Sequence, residues 1–237
     1  MSFIKVDTHT HTLVSTHAHS TLNENIKVAK DMNLEGICLT NHGPSIPDAP
    51  HIWHFYTLRH LPKYIDGIRF FRGSEANIID YSGNVDLPSD GLAILEWNIA
   101  SIHNPCLNEG TIEEITNAYI GALNNPYIHC LGHIGQESYL CDFDKVVKTA
   151  SQLNKIIEIN NHSFHGVRKG SDIYCKRIAE YCKRYETKIV VSSDAHFCLD
   201  IGIYDDALKM LLEIDFPEEL IINTSLEKFE NYLKTIK

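Results

Sequence analysis

The stretch Phe3-Ile4-Lys5-Val6-Asp7-Thr8-His9-Thr10-His11 decides the fold: a short β-branched apolar run gives way at once to two histidines two residues apart. Similar apolar runs recur at 36–39, 68–71, 99–102, 127–131, 156–159 and 189–191, with longer helical patterns between them. Short strands alternating with helices are the signature of a parallel sheet built from βα units. A weaker eighth run at 220–222 is placed either to close a barrel or to lie at its edge. Polar residues follow the same rhythm. Each strand end is trailed by His, Asp, Glu or Asn: His9 and His11, Asn41 and His42, Glu75 and Asn77, His103, His133, Asn160 and Asn161, Asp194 and His196. In a βα barrel all C-terminal strand ends meet at one face, so this rhythm predicts one convergent site.

The helical patterns carry their own start signals. Thr21 with Glu24 and Thr111 with Glu114 fit the capping box, and Ser171 and Ser225 are placed as N-caps of runs ending near Tyr185 and Ile236. In the run after Ser171, the residues Ile173, Arg177, Ile178, Tyr181 and Cys182 are spaced for one buried face. No repeat or Pro/Gly/Ser linker divides the chain, so its 237 residues are expected to form one domain over 1–237. The longest doubtful stretch is 43–62, where Pro44, Pro47 and Pro50 mark a loop.

Composition narrows the partners. With 43% hydrophobic and 22% charged residues the chain can bury a core, and its net charge of −10 works against nucleic-acid or anionic membrane binding. No segment is apolar for long enough to span a bilayer, and the amino terminus has no basic, apolar leader pattern, so the expected location is cytoplasmic. Seven cysteines without a C-x-x-C pair read as buried free thiols. The anomaly is 14 histidines against 3 methionines and 2 tryptophans.

Residues i and i+2 on a strand share a face, so His9 with His11, and Asp194 with His196, can each present two ligands to one cation. Together with His42, Glu75, His103 and His133 at other strand ends, these exceed what a single tetrahedral ion needs, which implies two or three ions. Imidazole with carboxylate suits zinc, manganese or iron. Three divalent ions set against Glu75 and Asp194 would leave a surplus of roughly four positive charges, suited to a small anionic substrate despite the acidic chain. Such a site can activate water and clamp both oxygens of a displaced phosphate ester.

The ordered set His9-Thr10-His11-Thr12, His17, Thr40-Asn41-His42-Gly43, Glu75-Ala76-Asn77, His103, His133 and Ser193-Asp194-Ala195-His196 resembles the polymerase and histidinol phosphatase (PHP) superfamily. Its stand-alone YcdX-like phosphatases are more similar still, through Ser15-Thr16-His17-Ala18, Asp48-Ala49-Pro50-His51 with Trp53-His54-Phe55, Glu158-Ile159-Asn160-Asn161 with Ser163-Phe164, and Arg168-Lys169-Gly170-Ser171. The resemblance implies a distorted (βα)7 TIM-like barrel with three divalent ions, zinc first and manganese or iron as alternatives, at its C-terminal face. It implies one ion on His9, His11, Glu75 and Asp194. A second would be shared through Glu75 with His103 and His133, and a third held by His17, His42 and His196. It further implies attack of a metal-bound hydroxide on a small phosphomonoester, with Glu75, Asp194 and His196 in the catalytic set. Asn41 stands where many members of the superfamily have Asp, which bears on tuning of the ligands rather than on their number.

Arg168, Lys169, Asn160 and Arg59 are the candidate substrate-binding residues, the last because 53–60 is expected to fold over the site mouth. His129 reads as a core histidine, His19 as a surface one, His51, His54 and His60 as loop or packing residues, and His162 and His165 as pocket-rim candidates. Rival readings are a histidinol-phosphatase-like activity, a phosphodiesterase or nuclease, an amidohydrolase, and a non-enzymatic metal-binding module. The nuclease reading suffers from the acidic composition and the lack of a basic stripe.

Overall fold

The computed structural model describes residues 4–165, 168 and 170–236. Its elements run β1 (Val6–Thr10), α1 (Leu22–Asp31), β2 (Gly36–Leu39), α2 (Trp53–Thr57), β3 (Tyr64–Ile65), β4 (Ile68–Asn77), α3 (Ser89–Ala93), β5 (Trp97–Ser101), α4 (Ile112–Asn124) and β6 (Cys130–Leu131). They continue with α5 (Phe143–Gln152), β7 (Ile156–Asn160), α6 (Asp172–Tyr185), β8 (Ile189–Ser192), α7 (Asp205–Glu213) and α8 (Leu226–Thr235). Seven strands pair in parallel in the order β1-β2-β4-β5-β6-β7-β8, and β3 adds an antiparallel hairpin to β4. The result is a nearly closed α/β barrel in one domain.

The strand from 36 to 39 lies where the sequence places it, while β1 begins three residues later than expected and carries His9 within it. The expected eighth strand does not form. Ile221 makes a single bridge to Ile189, and the 218–220 segment is a 3₁₀ turn, because Pro217 precedes it and α8 must turn back under the barrel. Asn223 fills the gap between β8 and β1 instead. Its side-chain amide donates to the Val6 and Val191 carbonyls (2.8 and 2.7 Å), its Oδ1 accepts from the Val191 amide, and its carbonyl accepts from the Lys5 and Val6 amides. One residue thus supplies the pairing that a missing strand would have provided. At the other end of the seam, Thr10 bridges Ala195.

Inside the barrel the side chains form layers. The floor is apolar: Val6, Cys38, Phe71, Trp97, Ile99, Cys130, Ile156 and Val190 pack with Phe229, Tyr232 and Leu233 of α8, which closes the barrel from below. Fully burying such side chains contributes about 1.5–3 kcal/mol each. A larger cluster between strands and outer helices includes Phe70, Ile102, Tyr119, Leu131, Val147 and Ile178. Above the floor, the inward positions turn polar, with His9, Glu75, Glu158 and Ser192 buried.

Both capping boxes are present, Thr21 and Thr111 each accepting from the amide three residues on, and Ser225 caps α8 through the Lys228 amide. Ser171 corrects the expectation. It sits in helical conformation with no capping bond from its side chain, because its backbone already belongs to the preceding turn. The buried face of α6 is Cys175, Ile178, Ala179 and Cys182, and Ile173 lies out in solvent at 68% exposure. No helix among the described residues is long and apolar enough to cross a membrane.

Candidate metal centre

Parallel pairing brings the strand ends to one face, and with them all nine expected ligands. Glu75 lies at the centre. Its Oε2 is 3.2 Å from His9 Nε2, 3.5 Å from His11 Nε2 and 2.8 Å from His42 Nδ1. Its Oε1 is 2.8 Å from His133 Nε2 and 3.3 Å from His103 Nε2. Asp194 Oδ1 lies 3.2 Å from His11 Nε2 and 3.4 Å from His9 Nε2. His17 Nε2 stands 3.1 Å from the Nε2 atoms of both His42 and His196. Three groups have ligand atoms close enough to share an ion: His9, His11 and Glu75; His42, Glu75 and His103; His11, His42 and His196. Two of them include Glu75, whose carboxylate oxygens thus face two candidate ion positions.

The atoms left without partners make the strongest case for a cation. His9 Nε2, His11 Nδ1, His42 Nδ1, Glu75 Oε2 and His103 Nε2 are buried and form no hydrogen bond, although most lie near a carboxylate. Buried polar atoms are rarely left in this state, and the His9, His42 and His103 nitrogens gathered beside Glu75 suit a divalent ion. The donor set of imidazoles and carboxylates suits zinc, manganese or iron.

Hydrogen bonds behind the ligands hold the imidazoles in place. The Nδ1–H of His9 donates to Glu158 (2.6 Å), that of His17 to Asp48 (2.7 Å), that of His103 to Asn77 Oδ1 (2.7 Å) and that of His196 to the Asp194 carbonyl (3.0 Å). Each of these bonds leaves Nε2 free to bind a cation. The Gln136 amide lies 2.6 Å from His133 Nδ1. Asn77 is itself held by Asp86, which fills the space beside Gly43: a Cβ at Gly43 would meet Asp86 Oδ1 at 2.2 Å. Two ligand residues also adopt left-handed backbone, His133 at φ 29° and Asp194 at φ 55°, a conformation disfavoured for both and maintained by the packing around them.

The charges are strongly coupled. Burial would raise the Glu75 carboxyl, yet His9, His103 and His42 hold it well below the usual range; Asp194 is depressed in the same way by His9 and Arg168. Burial would also favour neutral His9, but Asp194, Glu158 and Glu75 push it well above an ordinary imidazole. His11 goes the other way, lowered by burial and by His196 and His42. Burial likewise lowers His42, His103, His133 and His196, so His9 is the one buried imidazole of the described cluster whose charged form the carboxylates favour.

Above the ligands opens a mouth of about 810 Å³, lined among others by His19, Ile46, Asn104, Tyr139, His162, Arg168, Phe197 and Asp200. His19 and His162 face this mouth; His165 instead pairs with Asp206 at the surface. Arg168 Nη1 bonds Asp194 Oδ2 at 2.6 Å, so its charge is engaged with a ligand carboxylate at the mouth. Two of the expected substrate-binding positions change. Asn160 is buried, its amide shared between Glu158 and Asp194 (3.1 Å each) and its Oδ1 taken by the His162 amide, which leaves no group for substrate. Arg59 is exposed on the 3₁₀ turn after α2 and does not line the mouth, because 53–60 packs beside the 12–14 loop instead. Lys169 lies outside the described residues.

That segment borders a separate apolar cavity of about 400 Å³ with Leu13, Leu22, Leu39, His54, Leu58 and Leu61. Asn41 joins the two regions: its Oδ1 accepts from the Thr12 amide (2.9 Å), and its Nδ2 donates to His54 Nε2 (3.1 Å). Burial lowers His54 to about 4, and the neutral ring can accept that bond. His129 is a core residue stacked on Trp97, its Nδ1 accepting from the Asn98 amide.

Sequence reasoning assigned no role to Glu158, Asp48, Asp86 or Gln136. Glu158 did leave a signal, as a lone acid inside the apolar run Ile156-Ile157-Glu158-Ile159. The other three lie in loops, where spacing does not show which side chains point inward.

A parallel βα barrel with a His/carboxylate cluster able to hold metal ions at its C-terminal face defines a class of metal-site barrels. Within that class the chain belongs to the PHP domain family, which it matches over residues 7–236. It is 49% identical over 232 residues to a "Probable phosphatase" of Caldicellulosiruptor saccharolyticus, covering 98% of this chain and 97% of that protein. A "Probable phosphatase" of Acetivibrio thermocellus is 45% identical over 237 residues, 100% and 98% of the two chains. The fold is similar to a solved histidinol phosphate phosphatase from Lactococcus lactis complexed with Zn, L-histidinol and phosphate, with a TM-score of 0.62 at 14% identity over 91% of this chain and 95% of that one.

Proposed function

We propose that this protein is a metal-dependent phosphatase that hydrolyses a small phosphomonoester at a three-ion centre. The ligands are His9, His11, Glu75 and Asp194 for one ion, Glu75, His103 and His133 for the second, and His17, His42 and His196 for the third. Zinc is the first choice, with manganese and iron as alternatives. The observation that carries the reading is the set of orphaned buried atoms around Glu75. The relatives named as probable phosphatases, and the fold neighbour with zinc and phosphate, support it.

Bound divalent ions supply an activated water and neutralise charge on the phosphoryl oxygens. The chain's own residues do the rest. Glu75 would hold two of the ions, and Asp194 Oδ1 faces His9 and His11 while its Oδ2 stays anchored to Arg168 and Asn160. Arg168 adds a fixed positive charge at the mouth, and Glu158 adds a buried negative one beneath it. The mouth has room for a small ester, and among the described residues it offers Arg168 but no basic track for a polymer.

Metal analysis combined with hydrolysis of an aryl phosphate tests the proposal. It requires close to three ions per chain and turnover that chelation abolishes. Metal-replete protein that hydrolyses no phosphate ester across a pH series would overturn it, and hydrolysis of amides or lactones in its place would favour the amidohydrolase alternative.

A further inference from the structure

Glu158 is fully buried, two residues below the strand end of β7, and faces into the barrel between the apolar floor and the ligands. It is absent from the proposed ligand set, yet its carboxylate takes four bonds. Oε1 accepts from His9 Nδ1–H (2.6 Å) and from Ser192 Oγ (2.6 Å). Oε2 accepts from the His133 amide (2.8 Å) and from Asn160 Nδ2 (3.1 Å). One side chain therefore fixes the ring of His9 and the left-handed backbone of His133, residues from two different ion subsites.

We infer that Glu158 is a positioning residue that couples the two ions sharing Glu75 and leaves the third independent. The bond from His9 Nδ1–H selects the tautomer whose Nε2 lone pair faces Glu75 and Asp194, and the negative partner makes that nitrogen a stronger donor. The bond to the His133 amide sets the direction of the second ion's imidazole. The third cluster has its own support: Asp48 Oδ2 holds His17 Nδ1 and also accepts from Thr16 Oγ1 (3.0 Å), while the Asp194 carbonyl holds His196. Glu158 makes no hydrogen bond to that cluster. Two carboxylates outside the ligand set thus divide the centre into a coupled pair and a separate, more exposed ion at His17, which is 43% exposed.

This inference rests on the three-ion reading, and the test separates the two. Zinc stoichiometry and affinity are measured by metal analysis and by competition with a chromophoric chelator, for the native protein, Glu158→Gln and Asp48→Asn. Glu158→Gln is expected to weaken two ions by roughly 10–100-fold and to leave the third at native affinity. Asp48→Asn is expected to do the reverse. Native protein that binds no zinc overturns the three-ion reading and this inference with it. Native protein that binds three ions, with Glu158→Gln unchanged or weakened equally at all three, overturns the inference alone. The tautomer of His9 in the native holoprotein, read from two-bond proton–nitrogen spectra, needs no variant: Nδ1–H is expected, and a ring protonated at Nε2 contradicts the assignment even if Glu158→Gln does not fold.

Discussion

Replacing Asn223 by Ala probes whether one side chain closes this barrel. The amide satisfies three buried backbone groups, the carbonyls of Val6 and Val191 and the amide of Val191, across a seam where no strand lies. Truncation would strand all three, since Asn223 is completely buried and the apolar floor excludes water from below. Each unsatisfied buried group costs about 1–3 kcal/mol, so the expected loss is about 4 kcal/mol, a large part of the roughly 5–15 kcal/mol available to a domain. At about 2–4 °C per kcal/mol for a chain of this size, the midpoint should fall by roughly 10 °C. The seam joins the strand bearing His9 to the strand before Asp194, so zinc affinity should fall with it. Urea unfolding of metal-free protein, paired with a zinc competition titration, measures both effects. A stability loss below about 1 kcal/mol would show that the β1–β8 seam closes without the Asn223 amide, and would refute the reasoning.

Glu75→Ala should remove two ions together, measured as bound zinc per chain; loss of one ion or none contradicts the bridging position. Gly43→Ala should drive Asp86 away from Asn77 and so release His103, weakening zinc binding roughly tenfold while the far-ultraviolet spectrum stays native, whereas unchanged affinity would mean that Asp86 moves without consequence. His54 is held from its ordinary 6.5 down to about 4 by burial. The unfolded chain therefore binds the proton first. The stability contributed by the neutral ring is complete above about pH 6.5, declines as pH falls toward 4 and levels off below that, a loss of about 3 kcal/mol in all. Metal-free His54→Phe should lack that decline when unfolding curves at about pH 7 and 4.5 are compared with the native protein, and an identical decline would place its source elsewhere. Lys155 donates to the carbonyls of Asn125, Pro126 and Ile128 ahead of β6, so Lys155→Met should destabilise by about 2–4 kcal/mol in urea unfolding, and a near-neutral change would mean that solvent replaces the ammonium.

Periodicity and strand-end chemistry made the convergence of the candidate ligands legible because both are local. A strand that emerges into His-x-His or Asp-x-His must present those groups on one face, and parallel pairing brings the ends together whatever lies between. The substrate side was not legible for the opposite reason. Arg59 is expected at the site only if 53–60 folds over the mouth, and Asn160 only from its place at a strand end, but the path of a loop decides where a long side chain goes, and the cluster's own carboxylates compete for every donor within reach. Asn160 was taken by Glu158 and Asp194, and Arg168 was drawn to Asp194. The same competition explains the missing eighth strand. Ile221 can bridge β8 at Ile189, but α8 must begin at Leu226 to place Phe229 and Tyr232 under the barrel, which leaves room for that one bridge and the Asn223 amide.

The acidic composition and the cationic chemistry of the site belong to one design. A site built to collect several divalent ions needs buried carboxylates, and three of them, Glu75, Glu158 and Asp194, lie beneath the mouth with a single arginine near them. Without ions, Asp194, Glu158 and Glu75 favour the charged form of His9, while burial favours the neutral form of His11, His42, His103, His133 and His196. With ions bound, the imidazoles are free to be neutral ligands. Metal loading therefore releases protons, and zinc affinity should rise with pH over the range in which His9 would otherwise stay charged. A zinc affinity independent of pH between about 6 and 8 would mean that the rings are already neutral, and that Glu158 orients His9 without holding its charge.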